Sequence, residues 1–169
     1  MACTALTKGR GLDCNRISGG IKYVYFGVYD QISAITVADS VITDIEMTVG
    51  ASTYKLYRYT MPLGVASLSE TITGSRENGT IFYTPTLNVI LNRLTKEDQN
   101  EIKLLGRTRV IAFAQLNAKL STNQHDVIVG LGVVNGLELN AGTMDSGAAW
   151  GDRGGYTPVS YTHLRAHET

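Results

Sequence analysis

The stretch VIVGLGVVNGLELNAGTMDSGAAWGDRGGY, Val127 to Tyr156, decides the reading of this chain. Val127, Val129 and Leu131 alternate toward Asn135-Gly136, the dipeptide suited to the left-handed positions of a tight hairpin turn. Leu137 and Leu139 resume the alternation beyond it, so a β-hairpin is predicted here. Ala141 to Gly155 follows as a long loop of small residues around Trp150, the only tryptophan of the chain. A loop so poor in bulk is not expected to hold itself together, and such loops are functional or order against a partner. Nothing in the stretch offers a catalytic constellation. It points to a structural or binding protein, not an enzyme.

Working outward to the C-terminus, the texture changes abruptly after Gly154-Gly155-Tyr156. VSYTHLRAHET, Val159 to Thr169, shares none of the preceding strand-and-glycine pattern and is similar to translated sequencing-adapter read-through at the ends of metagenomic gene predictions. On that reading residues 158–169 are a non-native tail, to be set aside in fold reasoning as expression scars are. Residues 1–157 then form a single β-rich domain, truncated so that a closing strand is missing. The tail is expected to be disordered or loosely docked, and its deletion to leave folding unchanged. His163 and His167 stand at i, i+4, a metal-ligand spacing on a helix, but no acidic partner motif accompanies them.

Toward the N-terminus strand signals dominate. Ile21 to Tyr29, IKYVYFGVY, is aromatic and β-branched and follows a Gly19-Gly20 turn. Ile32 to Val37 and Val41 to Val49 are two further strands across Asp39-Ser40. Tyr54 to Met61 sets Leu56 and Arg58 on one face and Tyr57 and Tyr59 on the other, and Pro62 ends it. Ser67 to Thr73 and Thr80 to Leu94 read as the arms of a long hairpin around Ser75-Arg76-Glu77-Asn78-Gly79, with Leu87, Val89 and Leu91 on one face. Asn78-Gly79-Thr80 also fits a glycosylation acceptor, but turn chemistry explains it better. One helix interrupts the strands over Lys96–Leu105. Thr95 is its N-cap, Glu97 and Asp98 suit its first turn, Ile102 and Leu105 form a narrow apolar stripe, and Gly106 is its stop. Val110 to Leu116 returns to strand, and Asn117 to Gln124 is a polar connection. The fold class is therefore mainly β: an antiparallel β-sandwich or half-barrel with one short flanking α-helix. An open α+β sheet is the alternative architecture.

Composition sets limits on function. Fifteen basic and fifteen acidic side chains give a formal net charge of zero, which removes the electrostatic case for non-specific nucleic-acid or membrane-surface binding. Lys103, Arg107 and Arg109 are read as the solvated end of the helix. No apolar run approaches the ~20 residues of a membrane span, and a cytoplasmic origin is expected. Cys3 and Cys14 are the only cysteines, and two free thiols are preferred to a disulfide in a reducing cytoplasm. Outside the tail His125 is the only histidine, with no nucleophile elbow near it, so no catalytic residues are assigned. No cofactor and no metal site is expected: Asp145 and Asp152 lack the dense ligand spacing of a calcium loop, and Gly9–Gly11 and Gly147–Gly155 lack the context of a phosphate cradle. Tyr23, Tyr25, Tyr54, Tyr57 and Tyr59 form either a sugar- or protein-binding face or ordinary cross-strand pairs.

Three parts of the chain carry a family likeness. They are Cys3 and Cys14 with Gly19-Gly20-Ile21-Lys22, then Asn78-Gly79-Thr80-Ile81-Phe82-Tyr83 through Leu87-Asn88-Val89 into Thr95, and finally Leu131-Gly132, Asn135-Gly136, Asn140-Ala141-Gly142-Thr143, Ser146-Gly147-Ala148-Ala149, Gly151-Asp152 and Gly154-Gly155-Tyr156. In these the sequence resembles structural proteins of tailed bacteriophages, in particular β-rich tail tube subunits. The resemblance implies copies that assemble into rings and stack into the conduit for DNA. Its partners would be further copies of itself and other phage tail proteins, with DNA only as transported cargo and no membrane. Its location would be the virion tail, after assembly in the bacterial host cytoplasm. The alternatives are another virion component (decoration, neck or baseplate protein) or a monomeric carbohydrate- or protein-binding β-sandwich module. Tyr54, Tyr57, Tyr59, Asn78, Gly79, Asp145, Trp150 and Asp152 are the candidate assembly-interface residues. Trp150, large and uncharged among small residues, is either an interface anchor or a ring folded back over its own sheet.

Overall fold

The computed structural model of the chain describes residues 18–38, 41–48, 55–62, 64–75, 77–92, 95–120, 125–152, 154–162 and 165–166. Cys3, Cys14, Gly9–Gly11, Tyr54, His163 and His167 lie outside these, and with them the thiol, phosphate-cradle and tail-histidine readings. The chain is mainly β, with antiparallel sheets and, among the described residues, a single α-helix.

One sheet has the order β4-β1-β7-β8, built from β1 (Ile21–Val28), β4 (Tyr57–Thr60), β7 (Val110–Lys119) and β8 (Asp126–Leu131). The second sheet runs β11-β6-β10-β9, with β5 on the other side of β6. It uses β5 (Ser67–Ser75), β6 (Thr80–Asn92), β9 (Glu138–Asp145), β10 (Gly155–Thr162) and the short β11 (Arg165–Ala166). A separate hairpin joins β2 (Ile32–Ala38) to β3 (Val41–Met47) after a single 3-10 turn, Tyr29–Gln31.

Period-2 alternation determines how the sheets meet. Val24 and Phe26 of β1 and Val110, Ala112 and Ala114 of β7 face inward, against Leu87 and Val89 of β6. Leu131 and Leu137 close the same core, and Tyr59 packs edge-on against Phe26 with ring centroids 5.3 Å apart. Burial of such side chains, at about 1.5–3 kcal/mol each, is the main force holding the layers together. The opposite face of the first sheet is covered too. Ile111 and Phe113 are buried there, where Leu56 closes on Gly27 and Ile42 of β3 closes on Gly130. A Cβ on Gly130 would stand 2.6 Å from Ile42 Cδ1, so glycine lets the end of the Ile42 side chain lie directly against the strand.

The helix α1 (Lys96–Leu105) has the predicted bounds and cap: Thr95 Oγ1 accepts the Asp98 N–H at 3.1 Å. Gly106 ends it in a right-handed conformation, at φ −74°, rather than the left-handed one that favours glycine. Leu105 packs against the core, whereas Leu104 is exposed.

Three sequence expectations are corrected. First, β8 and β9 are not a hairpin. Among the described residues β8 pairs only with β7 and β9 only with β10, so the Asn135-Gly136 segment carries the chain from one sheet to the other. Gly132 and Gly136 both take positive φ, +72° and +79°, and the Gly136 N–H bonds the Gly132 carbonyl at 2.9 Å. The loop therefore spans Gly132 to Gly136. Leu131 and Leu137 enter the core from its two ends, and Leu137 forms an isolated bridge with Val110. Second, β7 extends through Asn117 to Lys119; the Asn117 N–H bonds Gly20 O and its side-chain amide bonds Gly19 O. Third, the residues set aside as a loose tail have a paired backbone. Val159 to Thr162 lies between β6 and β9, with Ser160 opposite both Asn88 and Ala141. Pro85, which has no N–H to give, falls where the neighbour of β6 changes from β10, ending opposite Thr86, to β11, beginning opposite Tyr83.

Candidate functional site

The glycine-rich segment divides in two. Ala141 to Asp145 belongs to strand β9, and the loop proper runs only from Ser146 to Gly154. This shorter loop holds itself together, contrary to the expectation from its composition. Asp145 Oδ1 accepts the Gly147 N–H at 2.9 Å, and Asp152 Oδ2 accepts the Ala148 and Ala149 N–H groups at 3.0 and 2.7 Å. The Asp152 N–H returns a bond to Ala149 O at 3.0 Å. Those two amide donors hold the Asp152 carboxyl below its ordinary pKa, because they stabilise the charged form. The two aspartates act as clasps for the loop backbone. Asp-x-Gly and Ala-Ala-x-x-Asp spacings were the available signal: a short carboxylate beside small residues bends back onto nearby N–H groups.

Trp150 stands at the apex of this clasp, within the turn between Ala149 and Asp152, and is wholly exposed. It does not fold back over its own sheet. A large aromatic is thus presented to water on a fastened loop.

At the other end of β9, eight residues or roughly 25 Å away, the molecule has a small cleft. Its walls are Glu70 of β5, Pro85 of β6 and the β8 end from Val129 to Val134, and its volume is about 140 Å³. That is below the range of roughly 300–1,000 Å³ typical of small-molecule sites. The cleft lies on the inward face of β5 and β6. Leu68 opposite Leu87 belongs to the core, Glu70 opposite Pro85 lines the cleft, and Ile72 opposite Tyr83 and Gly74 opposite Ile81 continue the same face. The pairing has no bulge, so the face does not change along the arm. Ile72 and Ile81 are 63% and 59% exposed, which means a core-type face runs on past its cover.

The remaining candidate residues do not gather into one patch. Asn78 and Gly79 form the tip of the β5–β6 arm, where the Asn78 N–H bonds Ser75 Oγ at 3.3 Å. That tip is at the Thr80 end of β6, whereas Asp145, Trp150 and Asp152 are at its Asn92 end. Thirteen residues of β6 separate them by roughly 40 Å. Nor do the tyrosines share a face. Tyr57 and Tyr59 point to the inner side of the first sheet, Tyr59 half-buried with its hydroxyl pKa raised by that burial. Tyr23 and Tyr25 lie on the outer side with centroids 6.5 Å apart. There Arg58 stands 5.1 Å from the Tyr23 ring, and Tyr25 Oη donates to Gln115 Oε1 at 3.0 Å. Gln115 in turn donates to Asp126, which also pairs with Lys22 at 3.3 Å; both contacts lower the Asp126 pKa. Arg109 is not part of a helix-end basic cluster: it pairs with Asp30 at 2.8 Å and stacks over Tyr29.

Among the described residues no group of three or more His, Cys, Asp or Glu side chains could hold a metal ion. No helix among them is long and apolar enough to cross a membrane. The sequence matches no family model, and neither a curated protein nor a solved structure matches it.

Proposed function

We propose that this chain is a self-assembling structural protein of a tailed-phage virion, and within that class a tail tube subunit whose rings stack into the DNA conduit. The observation that carries the assembly reading is the β5–β6 arm, whose core-type face extends beyond its own sandwich and leaves Ile72 and Ile81 in water. A monomer gains nothing from holding such a face open, whereas neighbouring copies would cover it. The tail-tube assignment rests on the likeness in sequence texture described above. Light scattering and electron microscopy of the full chain over a wide concentration range test the reading. Rings or stacked rings are the expected result, and a strictly monomeric protein at every concentration would overturn it. Rings that never stack would favour a decoration, neck or baseplate role.

A second reading, a monomeric carbohydrate-binding module, draws on the Tyr23–Tyr25 pair beside Arg58. It requires saccharide binding by a protein that stays monomeric, and it fails if Tyr23→Ala leaves retention on a glycan array unchanged.

A further inference from the structure

Trp150 and the cleft between Glu70, Pro85 and Val133 stand at opposite ends of strand β9. We propose that they are the two halves of one contact: Trp150 of one copy enters the cleft of the next. This rests on the assembly reading and names the residues that would join successive copies.

Size is the first argument. A cavity of about 150 Å³ accommodates one benzene-sized ring, so this cleft, at about 140 Å³, has room for the six-membered ring of an indole with the pyrrole edge left at its mouth. Trp150 is the only tryptophan in the sequence and is wholly exposed. Chemistry is the second. Val129, Leu131 and Val133 offer apolar walls, while Glu70 places a carboxylate at the same cleft, an acceptor for the one donor an indole carries. The third is the surface beyond the cleft. Ile72 and Ile81 continue its floor uncovered, so a loop arriving with Trp150 would also roof the arm.

Geometry then fixes the kind of assembly. Within one copy Trp150 cannot reach the cleft, because the length of β9 lies between them. Knob and hole at opposite ends of one strand make a heterologous contact, which repeats in the same direction from copy to copy. One ring in one cleft buries less than the roughly 1,200–2,000 Å² of a stable interface. The contact would therefore be weak for a pair and strong when many copies engage together.

Two variants and their mixture test this. Trp150→Ala removes the knob and keeps the hole, and since the side chain is wholly exposed in the monomer, folding is unaffected. Val133→Arg blocks the hole and keeps the knob. Wild type should show tryptophan emission that moves from a water-exposed maximum to shorter wavelength as it assembles. Each variant alone should stay unassembled, with Val133→Arg keeping the exposed emission. Mixed in excess of Trp150→Ala, the Val133→Arg protein should recover the blue shift, because its only tryptophan enters the open cleft of the other variant. Assembly of Trp150→Ala equal to wild type would overturn the proposal while leaving self-assembly standing, as would a mixture without the blue shift. A wild type that stays monomeric throughout would overturn both.

Discussion

Asp152 and Ala149 bind each other in both directions: the Asp152 carboxylate takes the Ala149 N–H at 2.7 Å, and the Asp152 N–H is given to Ala149 O at 3.0 Å. This exchange makes a turn of small residues into a mount for Trp150. Asp152→Ala should leave the β-sheet circular-dichroism signal intact while speeding hydrogen exchange at the Ala148 and Ala149 amides and lowering Trp150 fluorescence anisotropy. Unchanged exchange at both amides would show that the clasp does not hold the loop.

The same clasp has a pH signature. Asp152 has its folded pKa depressed below the ordinary carboxylate value of 3.8, with the Ala149 N–H as the larger cause and the Ala148 N–H next. A depressed carboxylate contributes stability that is present above its unfolded pKa and lost as pH falls through the folded one. The loop should therefore stay closed at neutral and mildly acidic pH and open only below 3.8. Amide chemical shifts of Ala148 and Ala149 followed against pH check this, and a common midpoint above that value would contradict it.

Ile42 and Gly130 seat the β2–β3 hairpin on the outer face of the first sheet. Gly130→Val would force its side chain into the space of Ile42 Cδ1, which lies 2.6 Å from where even a Cβ would be. Overpacking of this kind costs about 1–3 kcal/mol. Chemical denaturation should show that loss, and protease cleavage within the lifted hairpin should rise. A Gly130→Val protein as stable as wild type would mean that the hairpin is not held there.

Much of this architecture was legible in the residues, and the misreadings have a common physical source. Period-2 alternation assigned Leu87, Val89 and Leu91 to one face and Tyr57 and Tyr59 to another, and Thr95 located the helix, because face and cap are local properties. Which strand pairs with which is not local. Asn135-Gly136 carries a genuine left-handed glycine, but a second one at Gly132 widens the turn, and buried Leu131 and Leu137 send β8 and β9 into different sheets. Small residues also misled: Ala141 to Gly155 has little bulk, yet its order comes from backbone donors held by Asp145 and Asp152, not from side-chain packing. The cleft could not be read at all, since Glu70, Pro85 and Val133 meet only once the sheets have packed.

Core and arm should respond differently to substitution although they lie on one face of one strand. Leu87 is 1% exposed and Ile81 is 59% exposed. Leu87→Ala should cost about 2–5 kcal/mol in monomer stability. Ile81→Ser should stay within about 0.5 kcal/mol while weakening self-association. Equal losses of monomer stability would mean that the arm folds back onto its own sandwich.

The last test concerns Val159 to Thr162. A chain ending at Pro158 loses the rungs that set Val159, Ser160, Tyr161 and Thr162 opposite Val89, Asn88, Leu87 and Thr86. It also loses the pairing of β10 with Leu139 and Glu138, and among the described residues β9 pairs with no other strand. An unpaired buried N–H or C=O costs about 1–3 kcal/mol, and Leu139 packs against the core beside that edge. Truncation should therefore lower the denaturation midpoint and raise hydrogen exchange between Glu138 and Ala141, contrary to the behaviour of a loose appendage. Adding back a peptide of Val159 to Thr162 with flanking residues should restore protection there, since an open slot between two strands accepts a third by backbone pairing alone. If the truncated chain keeps its midpoint and its protection at Glu138 and Leu139, the strand adds nothing to the fold, and residues 1–157 stand as a domain by themselves.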